Sequence, residues 1–249
     1  MIGFALAIGV AYGLGMRSLA RRNRQWPVLR WCSAAGGVLA LGASGVVPDR
    51  SMNGHMIEHL LIGMIAPLLL ALSAPITLAL QTTPPWFRQP LRTALHSKPA
   101  VWLSNPIVGL AVFGTSLVVL YLTPLLEWSA SNVVVHVIVH AHLLAAGALF
   151  MWPIIAIDPI PRRIPFGARM LTVFAAVPFH AFLGLAIIST TTLLAPQAYP
   201  SLDDQHRAGG LLWISGELMS LALAAIVGRA WYESDRRAGE RDRRSIFQP

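Results

Sequence analysis

The sequence predicts an all-α polytopic membrane protein, a seven-transmembrane-helix bundle with its N-terminus outside and its C-terminus in the cytoplasm. Its composition, its long apolar runs and the placement of its basic residues all favour this class. Hydrophobic types make up 55% of the 249 residues and charged types 12%, a balance too apolar for an ordinary soluble domain. A helix needs ~20 apolar residues to cross the hydrocarbon layer. Seven runs have about this length: residues 2–20, 28–47, 54–80, 106–127, 132–157, 169–194 and 209–232.

The connections between these runs indicate a single domain. The first run is predicted to stay as a span, because its arginine cluster follows the apolar stretch, the reverse of a cleavable signal peptide. The second run holds Cys32, the only cysteine, so a disulfide or a paired-thiolate site within one chain is excluded. Residues 81–105, which contain proline breaks, are long enough for an interfacial helix. We expect a transmembrane domain over residues 1–232 and a charged, mobile cytoplasmic tail over residues 233–249.

Basic residues predict the orientation of the bundle. Seventeen of the nineteen Lys and Arg residues flank the first, third and fifth connections or lie at the C-terminal end, and only Arg50 and Arg207 do not. The positive-inside rule makes the richly basic side cytoplasmic. The net charge of +8 is therefore explained by membrane topology, and no nucleic-acid partner is expected. The predicted location is a bacterial plasma membrane, which the chain crosses several times.

Two histidine pairs indicate a metal site at the outward-facing end of this bundle. His55 and His59 open the third run, and His136 and His140 open the fifth. Residues four apart share one face of a helix, so each pair directs two imidazoles the same way. Met52, His55, Met56 and His59 follow the offsets of a single helical stripe. Two facing pairs could therefore supply four ligands, with Met56 as an additional soft ligand.

The residue types leave more than one metal and more than one chemistry open. Imidazole with thioether and no thiolate favours copper, particularly Cu(I), whereas imidazole with the Glu58 carboxylate favours zinc or iron. The segment from His55 to His59 also fits HxxEH, a pattern of zinc hydrolases in which the glutamate activates water. A haem with His59 and His140 as axial ligands is a third interpretation. Retinal is not expected, because the only lysine, Lys98, lies in a connection that is predicted to be cytoplasmic.

Other polar residues in or near the spans carry no assigned role at this point. They are His142, His180, His206, Asp204 and Glu217.

Three blocks of residues resemble one known family. The first comprises the segment His55–Leu61, Ala66–Pro67 and the segment Ala74–Leu80; the second comprises His140–His142, Gly147, Phe150, Trp152 and Asp158–Pro159; the third comprises Asp204–Gln205, Gly209–Gly210 and Trp213. With these blocks the chain resembles the cytochrome c oxidase assembly factor CtaG family, a multi-span group associated with caa-type oxidases. The last block departs from the family pattern, because Leu212 stands where a methionine is expected before the tryptophan.

The resemblance implies a non-catalytic protein that helps copper reach cytochrome c oxidase on the outer face of the membrane. The ligands carried over are His55, His59, His136 and His140, with Met56 as a secondary ligand. The partners implied are oxidase subunits or other copper carriers, besides the lipid membrane itself. The alternative is an intramembrane zinc-dependent hydrolase that uses His55, Glu58 and His59.

Overall fold

The computed structural model describes residues 1–48, 50–162 and 164–246, with side chains described as far as Arg241. The described residues form helices and no strand, which confirms the all-α prediction. The helices are α1 (Ile2–Ala20), α2 (Val28–Ser44), α3 (Met52–Leu60), α4 (Ala66–Ser73), α5 (Pro75–Thr82), α6 (Pro85–Leu95), α7 (Lys98–Leu103), α8 (Pro106–Leu122), α9 (Leu125–Ser131), α10 (Val133–Ile155), α11 (Phe166–Ser189) and α12 (Leu202–Ile246). A π-helical segment, Leu61–Ile65, makes α3 and α4 continuous.

Within the described ranges, five stretches are long and apolar enough to cross a membrane. They are α1, the continuous helix Met52–Ser73, α10, α11 and most of α12. A sixth is obtained if α8 and α9, which are bent by 75° at the break containing Pro124, are taken as one span. The second predicted run forms α2, which is apolar but has only 17 residues. The chain is thus a helical membrane protein, while the count of seven spans and the outward N-terminus stay predictions.

The third predicted run, 54–80, is divided in the structure. Helix α4 ends where Ala74 adopts a left-handed conformation with φ 54°, and α5 starts at Pro75. Asp158, which follows α10, accepts hydrogen bonds from the backbone N–H groups of Ile76 and Thr77 at 3.2 and 2.7 Å. A carboxylate at a helix N-terminus satisfies amides that otherwise have no intrahelical partner. This cap accounts for the new helix start at a position where hydrophobicity alone predicts continuation.

A close crossing of two backbones fixes α10 against the helix that carries the first histidine pair. A Cβ atom built on Gly147 of α10 would collide with the carbonyl oxygen of Gly63 and would lie 3.0 Å from Cγ of Pro67. Pro67 has no N–H to bond the Gly63 carbonyl four residues earlier, which suits the π-helical turn at this point. Only glycine permits this approach. The crossing therefore sets the relative register of the two helices, and with it the depth of both histidine pairs.

The remaining predicted elements differ from the sequence expectations mainly at their ends. The connection 81–105 forms two short helices, α6 and α7, none of whose residues is buried. Helix α12 begins before the predicted run 209–232 and continues through the predicted tail to Ile246. Ion pairs between residues four apart, such as Arg229–Glu233 at 2.9 Å and Arg236–Glu240 at 3.6 Å, favour this helical continuation. The domain boundary after residue 232 stays a prediction.

Candidate metal site

The N-terminus of α3 presents the first histidine pair. Ser51 is the N-cap residue and accepts a hydrogen bond from the Gly54 N–H at 3.0 Å. The Asp204 carboxylate, from α12, accepts a hydrogen bond from the backbone N–H of Met52. This second cap ties the start of α3 to the start of α12. The stripe predicted from the sequence is buried as a unit, with Met52, His55, Met56 and His59 no more than 3% exposed.

The N-terminus of α10 presents the second pair. The side-chain oxygen of Asn132 accepts hydrogen bonds from the backbone N–H groups of Val134 and Val135 and so caps the helix. His136 and His140 follow on one face, with ring centroids 3.9 Å apart. The His140 side chain is 2% exposed and the His136 side chain 23% exposed. The pair therefore runs from a partly accessible ring to a buried one.

The two pairs converge into one group, the histidine cluster (His55, His59, His136 and His140). The ring centroids of His59 and His140 lie 5.2 Å apart, and those of His55 and His136 lie 5.7 Å apart. Within α3, the rings of His55 and His59 are 4.0 Å apart. The third and fifth predicted runs are thus in direct contact at their histidine-bearing ends, which the sequence does not establish. Ligation of a metal by these rings stays a prediction.

Glu58 enters this cluster from α3. Its Oε1 atom lies 3.7 Å from Nε2 of His136 and 3.7 Å from Nε2 of His140. The ligand atoms of these three residues all lie within 4.8 Å of one another, which suits a single metal ion. From the sequence, Glu58 is expected as a ligand only in the alternatives to copper. Its spacing of three residues from His55, which puts both side chains on nearby faces of one helix turn, was the available signal.

Tyr121, at the end of α8, is a member of the site that the sequence does not predict. Its hydroxyl lies 2.9 Å from Nδ1 of His59 and both side chains are buried. Nε2 of His59 is buried and has no hydrogen-bond partner among the described residues. When Nδ1 donates its proton to Tyr121, Nε2 presents a lone pair to a metal, as in other sites where a second group orients the ligand. An orphaned buried nitrogen of this kind fits a metal ligand.

The segment between α11 and α12 covers the cluster. The ring of Tyr199, which is 4% exposed, lies 5.5 Å from the ring of His55. The buried side chain of Gln205 holds this segment, because it accepts from the Leu194 N–H at 2.8 Å and donates to the Thr192 carbonyl at 3.1 Å. The cover leaves His136 as the most exposed member of the cluster.

Two methionines line a small cavity beside the site. Met56 and Met64 line it together with His59 and Tyr121. Leu212 of α12 lines the same cavity. The position at which the sequence departs from the family pattern therefore faces the candidate ligands. A methionine there would add a thioether beside Met56, whereas leucine contributes only apolar surface.

The other polar residues, to which the sequence assigns no role, lie outside the cluster or support it. His142, exposed on α10, is 2.7 Å from the Ser116 hydroxyl. His206 lies 3.1 Å from the Thr190 carbonyl. His180 is 2.9 Å from the carbonyl of Ala176 in its own helix, and the half-buried Glu217 lies on α12. Asp204 has a structural role, the cap of α3.

Comparisons with known proteins give one matching family and several similar proteins. Residues 10–234 match the family described as cytochrome c oxidase caa3 assembly factor. Uncharacterized proteins from Mycobacterium bovis and Mycobacterium tuberculosis are each 35% identical over 97% of this chain, and one from Mycobacterium leprae is 32% identical over 96%. The chain spans 40% of the length of these relatives. The search of solved structures found no significant match.

Proposed function

Because the chain belongs to the cytochrome c oxidase caa3 assembly factor family, we propose that it binds copper and helps to deliver it during oxidase maturation. The site is the histidine cluster, with Met56 as an additional ligand and Glu58 beside it. The observation that carries this proposal is the convergence of imidazoles from α3 and α10, with the His59 and His140 rings 5.2 Å apart. Ionisable groups inside a membrane bundle are costly to bury and are usually functional.

The ligand types favour Cu(I) as the cargo. Imidazole nitrogen and thioether sulfur are ligands that suit copper. The histidine cluster and Met56 supply these two donor types and include no thiolate. Cu(I) accepts a low coordination number, so the cluster holds more donors than one ion needs. The spare imidazoles allow the ion to move by stepwise ligand exchange. His136, the most exposed ring of the cluster, is the natural point of entry or exit.

The charge distribution supports placement of the cluster on the extracytoplasmic face. The histidines lie at the N-terminal ends of α3 and α10. At the opposite end of α10, Arg169 donates hydrogen bonds to the carbonyls of Ile154 and Ile155. Arg22 donates to the Gln81 carbonyl at the C-terminal end of α5. Like most basic residues of the chain, these two arginines lie at the end of the bundle opposite the histidine cluster, which agrees with the positive-inside rule if that end is cytoplasmic.

In this account the protein is a non-enzymatic carrier, and its partners are oxidase subunits or other copper carriers. Binding and transfer are separate steps. Binding uses the buried cluster, whereas transfer needs a partner to reach it near His136. A bis-histidine haem is disfavoured, because the rings of His59 and His140 are in edge contact at 88° and leave no slot for a porphyrin between them.

Zinc is the second candidate metal, favoured by one specific observation. Glu58, His136 and His140 form a two-histidine, one-carboxylate group of the type that binds catalytic zinc. A hydrolase of the HxxEH type would instead require Glu58 to activate water beside zinc held by His55 and His59. Glu58 approaches the α10 histidines, which is the position of a ligand to an ion held there.

Metal titration of purified protein with a Glu58→Gln variant tests the copper assignment. After chelator treatment, we expect the native chain to bind close to one Cu(I) under anaerobic conditions. Glutamine removes a hard anionic ligand, so zinc affinity should fall by about 10–100-fold while Cu(I) affinity changes less than about threefold. Glu240→Gln, at an exposed glutamate of α12, is the matched control and should alter neither. A wild type that retains zinc and fails to bind Cu(I) would contradict the copper proposal.

A further inference from the structure

A second, larger cavity lies at the other end of the bundle from the histidine cluster. It has a volume of about 740 Å³ and lies between α8 and α11, with α7 across one end. Its walls are apolar and open to the exterior: Trp102, Ile107 and Leu171, which line it, are 61%, 67% and 69% exposed. A groove of this kind between membrane helices faces lipid, so its natural occupants carry hydrocarbon chains.

One end of this groove carries positive charge. Lys98 and Arg162 line it there, together with His96, and the described lining residues include no acidic side chain. Helices α8 and α11 both begin at this end, at Pro106 and Phe166, so their dipoles add to the positive potential. Uniform apolar walls would take any lipid tail. The positive charge at the mouth of the groove favours a lipid with an anionic headgroup.

The length of the groove matches one leaflet of a bilayer. Its lining extends from Pro165, the N-cap residue of α11, along that helix to Ala175, which is about 15 Å at the helical rise of 1.5 Å per residue. Half of the ~30 Å hydrocarbon core is the same distance. Trp102 lies at the mouth, and tryptophan is enriched at the level of lipid headgroups. The groove therefore has the length of a phospholipid acyl chain, with Lys98 and Arg162 at the level of the headgroup phosphate.

We infer that this groove is a binding site for an anionic phospholipid, with an acyl chain between α8 and α11 and the headgroup phosphate on Lys98 and Arg162. Basic pockets between membrane helices on the cytoplasmic side hold anionic headgroups in this manner. The site is independent of the metal site, and it predicts that anionic lipid stabilises the packing of α7, α8 and α11.

Native mass spectrometry and thermal unfolding of the purified full chain test this site. The protein is delipidated in detergent and supplied with phosphatidylglycerol or phosphatidylcholine at equal concentrations. We expect one tightly held phosphatidylglycerol per chain and a raised Tm with that lipid alone. Lys98→Gln combined with Arg162→Gln should weaken its retention at least about tenfold, since both cationic groups that attract the anionic headgroup are removed.

Two further variants separate the lipid site from general effects. Arg17→Gln combined with Arg21→Gln removes the same charge from exposed positions of the predicted cytoplasmic side and should leave lipid retention unchanged. Ala175→Trp keeps both cations but fills part of the groove, and it should also weaken retention. Equal retention of the two lipids, unchanged retention in the Lys98/Arg162 variant, or a co-purified polypeptide in place of lipid would each overturn the inference.

Discussion

Alanine at both His59 and His140 is expected to abolish stoichiometric copper binding. The two rings come from different helices and are in contact, with their centroids 5.2 Å apart. The double change therefore removes one buried donor from each side of the cluster. Both positions are nearly inaccessible, at 3% and 2% exposure, so water would not readily replace the missing nitrogens. The expected change is from about one copper per chain to background, measured by elemental analysis after anaerobic loading.

His142→Ala is the matched control for this experiment. His142 lies on the same helix, two residues from His140, but it is exposed and contacts Ser116 instead of the cluster. This variant should keep the full copper content. If the His59/His140 double variant holds as much copper as the native chain, the proposed site is wrong, whichever metal the purified protein contains.

Replacement of Gly147 by leucine is expected to disrupt both the fold and the metal site. Any Cβ at this position collides with the Gly63 carbonyl, so α10 must move away from the continuous helix Met52–Ser73. Overpacking of this kind typically lowers the free energy of unfolding by about 1–3 kcal/mol. The colliding atom belongs to the backbone, so a change of side-chain rotamer cannot remove the clash. Displacement of α10 also separates His136 and His140 from Glu58. We expect a Tm lowered by several degrees and a copper affinity reduced at least about tenfold.

Gly210→Leu provides the control for a glycine-to-leucine change in a helix. Gly210 lies in α12, and a Cβ built there meets no atom within 4 Å. Its Tm and copper affinity should stay close to those of the native chain. Native copper affinity in a Gly147→Leu variant that remains folded would show that the helix crossing does not set the geometry of the site.

Much of the fold follows from patterns that act locally. Apolar runs and proline breaks predict helices near the observed positions of α1, α10 and α11, and the all-α class is confirmed. The clearest exception arises from a contact distant in the chain. The break at Ala74 depends on a carboxylate from Asp158, more than eighty residues away, that caps α5. The bend after α8 shortens the fourth predicted run. Hydrophobicity does not report such partners.

The candidate site shows the same division between local and distant information. Helical spacing predicts that His55 and His59 share a face, and that His136 and His140 share another. It does not predict that the two faces meet, since that requires the approach of Gly147 to Gly63. Tyr121 and Tyr199 reach the cluster from α8 and from the segment before α12. A lone tyrosine at the end of an apolar run carries no sequence signal for such a role.

Maturation of the oxidase in cells is the most direct test of the copper-delivery account. In a strain lacking the native protein, the copper content and activity of the caa-type oxidase would be measured at low and at added copper. We predict that the His59→Ala/His140→Ala variant leaves both as low as the deletion does at low copper, with recovery when copper is added, while the His142→Ala variant restores both. A normally metallated oxidase at low copper with the double variant would contradict the account.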